Sequence, residues 1–130
     1  MSRFENFGQD LAKIHLTLKI HEKYVEDLME EILEVGKSLN LEPERRAEGY
    51  ALTPSHRAAA IGLPHLRIAI TENLITIWVR SPYALDEEKC RLVGIDAEEL
   101  YRRLLTGAIK MADILRKYSE KGEYIQISLP

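Results

Sequence analysis

The sequence predicts an α+β fold in which a long N-terminal helix and a second long helix pack on one face of a small three-stranded, mainly antiparallel sheet. Three observations carry this expectation. An unbroken three-four apolar repeat fills the first forty residues, an alternating apolar stretch occupies 65–80, and a well-capped helix starts at Asp96.

The repeat runs through Phe4, Phe7, Leu11, Ile14, Leu18, His21, Val25, Leu28, Ile32, Val35 and Leu39, and only His21 is polar. Such spacing keeps one seam of a helix toward a partner, which predicts a helix over about 4–40. Leu16, Ile20, Tyr24, Met29 and Leu33 widen the seam, so the helix is expected to meet more than one neighbour. Gly36 and Asn40 weaken its end and Pro43 closes it.

Residues 43–62 read as short helical turns. Pro43 suits a first helical position and Gly49 a C-terminal cap, and Thr53-Pro54 repeats the start before Ala58, Ala59 and Ala60. The stretch 65–80 reads as a β-hairpin turning at Glu72-Asn73. In that register Leu66, Ile68 and Ile70 face Val79, Ile77 and Ile75, while Arg67 faces Trp78 and His65 faces Arg80. A short helix over 83–93 follows. A helix over 97–119 then opens on Asp96 and Glu99 as a capping box, with Ile95 and Leu100 at hydrophobic-staple spacing. A strand over 123–129 closes the chain. It is expected beside the first hairpin strand, with order 2-1-3.

The totals narrow the function classes. A chain of 130 residues fits one domain able to bury a core without metal or disulfides. Its net charge of −3 disfavours general coating of DNA. The lone Cys90 excludes an internal disulfide and suggests a reducing, cytoplasmic setting. The first residues do not read as a signal peptide, and no window is apolar enough for a membrane span. Abundant Glu and Arg with few Asn and Gln give a thermophilic flavour.

No motif names a reaction, so neither a cofactor nor a metal site is predicted, and catalysis is not the favoured reading. His15 and His21 are six apart and lie on different parts of a helix, the wrong spacing for a ligand pair. Cys90 reads as a small core residue rather than a nucleophile. Thr53 to Arg57 reads as a plain helix cap rather than an anion site. The carboxylates Glu26, Asp27, Glu30, Glu31 and Glu34 read as a solvated helix face.

Two surfaces remain. A helix of thirty-six residues would be roughly 54 Å long, longer than a domain of this size, and would project Phe4, Phe7 and Leu11. Those residues and His21 are the expected interface of a homodimer, and a self-associating, noncatalytic interaction module is the expected function. The alternative is a nucleic-acid or partner face carrying His65, Arg67, Trp78, Arg80 and, if the last strand joins the sheet, Tyr124.

Overall fold

A strand of alternating residues lies inside the sheet, next to one edge, where the sequence predicted continuous helix. In the computed structural model, which describes residues 3–130, the chain runs α1 (Arg3–Ala12), β1 (His15–Ile20), α2 (Val25–Ser38), β2 (Glu42–Arg46) and β3 (Gly49–Thr53). It continues through α3 (His56–Ala60), β4 (His65–Thr71), β5 (Leu74–Arg80), α4 (Glu87–Leu92), α5 (Ala97–Tyr118) and β6 (Gly122–Ser128). The six strands form one antiparallel sheet in the order β2-β3-β4-β5-β1-β6. No helix among the described residues is long and apolar enough to cross a membrane.

The long N-terminal helix does not form. Ile14, Leu16, Leu18 and Ile20 recur every second residue and are almost wholly buried, while His15 and Lys19 are exposed. Two of these four belong to the three-four seam and two to its flank. Together they are a period-2 pattern, and burial between two neighbouring strands favours the extended form. The predicted three-stranded sheet is therefore six-stranded. Its last strand pairs with β1 and not with the hairpin, so the order 2-1-3 is also corrected.

The segment 43–62 is corrected too. Glu42-Pro43-Glu44-Arg45-Arg46 pairs with β3 as an edge strand, where a proline can lack a ladder donor without loss. Such a strand carries no apolar alternation, so nothing in its sequence marked it. Only His56–Ala60 is helical, and its cap is Ser55, whose Oγ accepts the Ala58 N–H at 3.1 Å. The predicted helix over 83–93 shortens to a 3-10 turn at Pro82–Ala84 followed by α4.

The hairpin β4–β5 takes the register expected from its alternation, with Leu66 opposite Val79, Ile68 opposite Ile77 and Arg67 opposite Trp78. Glu72 opens the two-residue turn at φ 58, and the Asn73 side chain donates to the Ile20 carbonyl at 2.7 Å. Helix α5 starts where the capping box predicts, Asp96 accepting the Glu99 N–H at 3.0 Å. At the end of α2, Asn40 adopts φ 55, and Leu41 N–H reaches the Gly36 carbonyl at 2.8 Å. That is a Schellman ending with asparagine in the left-handed position.

The apolar residues of every strand from β3 to β1 turn to one face, on which α2 and α5 lie. Leu16, Leu18, Ile75, Ile77, Leu66 and Leu52 there meet Leu28, Ile32, Leu104, Met111 and Leu115, all fully buried. Burying each such side chain stabilises the fold by roughly 1.5–3 kcal/mol. Helix α1 is held on α5 rather than projecting. Phe7 stacks on Tyr101 with ring centres 4.1 Å apart, and the Tyr101 hydroxyl donates to Asp10 at 2.9 Å.

Candidate binding face

The side chains that alternate with the core residues all point to the second face of the sheet. Its registers align them in rows. One row runs Ser128, His15, Trp78, Arg67, Ala51 and Glu44 across all six strands. The next contains Gln126, Thr17, Thr76, Ala69, Gly49 and Arg46. On the other side of the first row, His65 stands opposite Arg80.

Short helix α3 covers one end of this face. It packs on β3, and its His56 Nδ1 lies 2.9 Å from Glu44 Oε2. Ala51 and Thr53 beneath it are fully buried. Arg46 also reaches Glu44, at 3.0 Å, and the hydrogen bond from Arg46 first, then that to His56, holds the carboxyl below its usual range, with burial opposing. The β2–β3 end is thus charge-matched. The part spanning β4, β5, β1 and β6 is open, with His15, Lys19, Arg80, Gln126 and Ser128 exposed.

Arg67 lies at the boundary between the covered and open parts. Its guanidinium carbon is 5.9 Å from the Trp78 ring centre, within the range of a cation–π contact. Its Nε is buried without a hydrogen-bond partner. Burial first, then the positive charges of Arg80 and Arg46, hold the guanidinium below the usual arginine range, with Glu48 opposing. Partly buried arginines ordinarily satisfy their donors with carboxylates or carbonyls. Here the nearest strand neighbours are Trp78 and Ala51, and neither offers a side-chain acceptor.

His65 is buried, and its Nδ1 lies 3.1 Å from the Leu63 carbonyl, so that nitrogen carries the proton. Burial, followed by Arg67, Arg46 and Arg80, lowers its pKa from the ordinary 6.5, while the Leu63 hydrogen bond opposes them. A depressed histidine pKa stabilises the fold above 6.5, and that contribution is lost as the pH falls below it. His65→Asn keeps a donor for Leu63 but cannot titrate. The urea midpoint of the wild type is therefore expected to fall more steeply below pH 6.5 than that of this variant. Equal slopes would show that His65 is not kept neutral.

Of the residues expected on this face, Arg67, Trp78, Arg80 and His65 come together. Tyr124 shares the face but lies beside Lys19 near the far end, bonded to Gln126 at 2.8 Å. His15, which pairs with Trp78, is a member the sequence reading missed. The alternation over 14–20 was the signal that could have found it.

The expected interface residues scatter instead of forming a projecting helix. Leu11 is fully buried in the core, Phe4 and Phe7 are half-buried on α1, and His21 caps a 3-10 turn by accepting the Lys23 N–H at 3.2 Å. Cys90 is buried, and its thiol is pushed up by burial, then by Asp86, Asp96 and Glu87. On α2, Glu26, Asp27, Glu30 and Glu34 are exposed, and Glu31 is held by Lys117. These carboxylates lie on α2, away from the open sheet face.

No protein-family model, curated protein or solved structure matches this chain.

Proposed function

We propose that the chain is a noncatalytic interaction module that self-associates, with β6 as the joining strand. The observation that carries this reading is the contrast between the two edges of the sheet. β2 carries a proline and four charged residues, which are common protections against edge-to-edge pairing. β6 has no proline and a single charged residue, Glu123, which is engaged by Lys19 at 3.6 Å. Its Tyr124 is 51% exposed and Ile125 37% exposed, so apolar surface and free backbone groups coincide on one edge.

The direction of those backbone groups follows from β1. Ile20 N–H donates toward Asn73, on the β5 side. Alternate residues share a direction, so Thr17 and Lys19 turn their backbone groups to β6, where they face Gln126 and Tyr124. Ile125 and Ile127 then turn theirs outward. Antiparallel pairing with a second copy can set Ile125 opposite Ile127 of that copy. Gln126 falls on the two-fold axis in that register, and Glu123 meets Leu129 rather than its own copy. The dimer moves from the N-terminal helix to the sheet edge because the projecting helix that motivated it is absent.

Sedimentation equilibrium at tens of micromolar is expected to give a dimer. Ile125→Pro removes one outward N–H and leaves the ladder to β1 intact, so it is expected to weaken the dimer at least about tenfold with an unchanged circular dichroism spectrum. Ile125→Thr should remain dimeric. A monomeric wild type at that concentration would sink the self-association reading, and a dimeric Ile125→Pro would move the interface away from β6.

A further inference from the structure

We propose that the open sheet face around Arg67, Arg80, Trp78 and His15 binds single-stranded nucleic acid, with the arginines on phosphates and Trp78 and His15 stacking bases. The first support is the charge distribution. Between β4 and β6 the cations of this face are Arg67, Arg80 and Lys19; of these only Lys19 makes an ion pair among the described residues, and Glu48 acts on Arg67 without one. Arg80 is exposed and makes no side-chain hydrogen bond or ion pair among the described residues, while exposed carboxylates crowd α2 on the opposite layer. A chain of net charge −3 thus carries two arginines without an ion pair on neighbouring strands of this face.

The second support is Arg67 itself. Its guanidinium is half-buried beside two further arginines, and Glu48 is the one carboxylate that acts on it. Phosphate oxygens supply acceptors in the paired geometry that arginine favours. The third support separates nucleic acid from an acidic peptide. Trp78 and His15 stand opposite one another on neighbouring strands, about 4.8 Å apart, and the flanking positions Thr76, Thr17 and Ala69 are small. Two aromatic side chains therefore rise from adjacent positions of one face beside the cations, which suits bases that stack and gives an acidic side chain nothing to hold.

Trp78 is the only tryptophan in the chain, so it reports its own occupancy. Titrating the full chain at low salt with short oligo-rU and oligo-dT is expected to quench its fluorescence in at least one of the two, and the stronger arm identifies RNA or DNA. Two phosphate contacts predict a slope of about −1.4 for log affinity against log salt. Fluorescent-oligonucleotide anisotropy then reads the variants. Arg80→Gln changes an exposed side chain and should lower both affinity and slope while the fold is kept. Trp78→Ala should weaken binding at least about fivefold, and Trp78→Phe should retain most of it. Polyglutamate of matching charge should bind far more weakly than either oligonucleotide. Absence of binding at low salt would overturn the proposal. So would polyglutamate binding equal to that of the oligonucleotides, or an Arg80→Gln variant with unchanged salt slope.

Discussion

Replacing Gly49 with alanine is expected to destabilise the protein by about 3 kcal/mol or more, enough to threaten folding of a chain this size. A β-carbon at this position would lie 2.0 Å from the Ile68 carbonyl oxygen, 3.0 Å from its carbon and 3.4 Å from the Ala69 α-carbon. All three belong to the backbone of the neighbouring strand, so no side chain can rotate away. Relief requires β3 to withdraw from β4, at the point where Ile70 N–H reaches the Glu48 carbonyl at 2.7 Å. With β3 would go β2, which is paired in the sheet to β3 alone, and Leu52 would lose its cover. Urea denaturation of Gly49→Ala checks this, and a loss under about 1 kcal/mol would show that the strands have room to part.

The second large effect is expected from Ile77→Ala. Ile77 lies mid-strand in β5 with Leu16 on one side and Ile68 on the other, and all three are buried. Removing most of its side chain leaves a cavity that a sheet held from both sides cannot collapse. A cost of about 4 kcal/mol is expected, within the usual range of roughly 2–5. The melting temperature should fall by about 12–16 °C. The urea midpoint should fall with an unchanged m value, since the surface exposed on unfolding is nearly the same. A shift of only a few degrees would mean that the helix layer settles into the gap.

These two sites mark how unevenly the fold could be read. The β4–β5 hairpin was legible because each face carries its own residue class, so a one-residue slip would have put Leu66 and Ile68 in water. Helix α5 was legible because Asp96 and Glu99 place its start locally. The first forty residues misled because Ile14 and Leu18 satisfy two periods at once. Four residues apart, they fit a helix seam; with Leu16 and Ile20 between and beyond them, they fit a strand. The choice was made by β5 and β6, which supply partners from far along the chain, and tertiary pairing outweighed local pattern. β2 was illegible for a different reason. An edge strand with one covered neighbour needs no apolar alternation, and its proline and charges read as helix punctuation.

The candidate face followed the same division. Arg67 beside Trp78 was legible from the hairpin alone, whereas His15 could join them only once its segment became a strand. Arg46, whose charge acts on Arg67 and His65, came with β2. Gly49 was visible as a glycine, but its role came from a carbonyl nineteen positions away.

The place of β1 also bears on how the chain reaches its native state. Its partners are remote: Leu16 pairs with Ile77 on one side and with Ile127 on the other, the latter more than a hundred positions along. Such contacts bring no gain until a large loop has closed, whereas β4 and β5 can zip around their own turn. The hairpin is therefore the natural early nucleus, and insertion of β1 between β5 and β6 the slow, committing step. Until then an alternating apolar strand waits without either neighbour, and the time it waits sets how long the folding chain is open to association with the wrong partner.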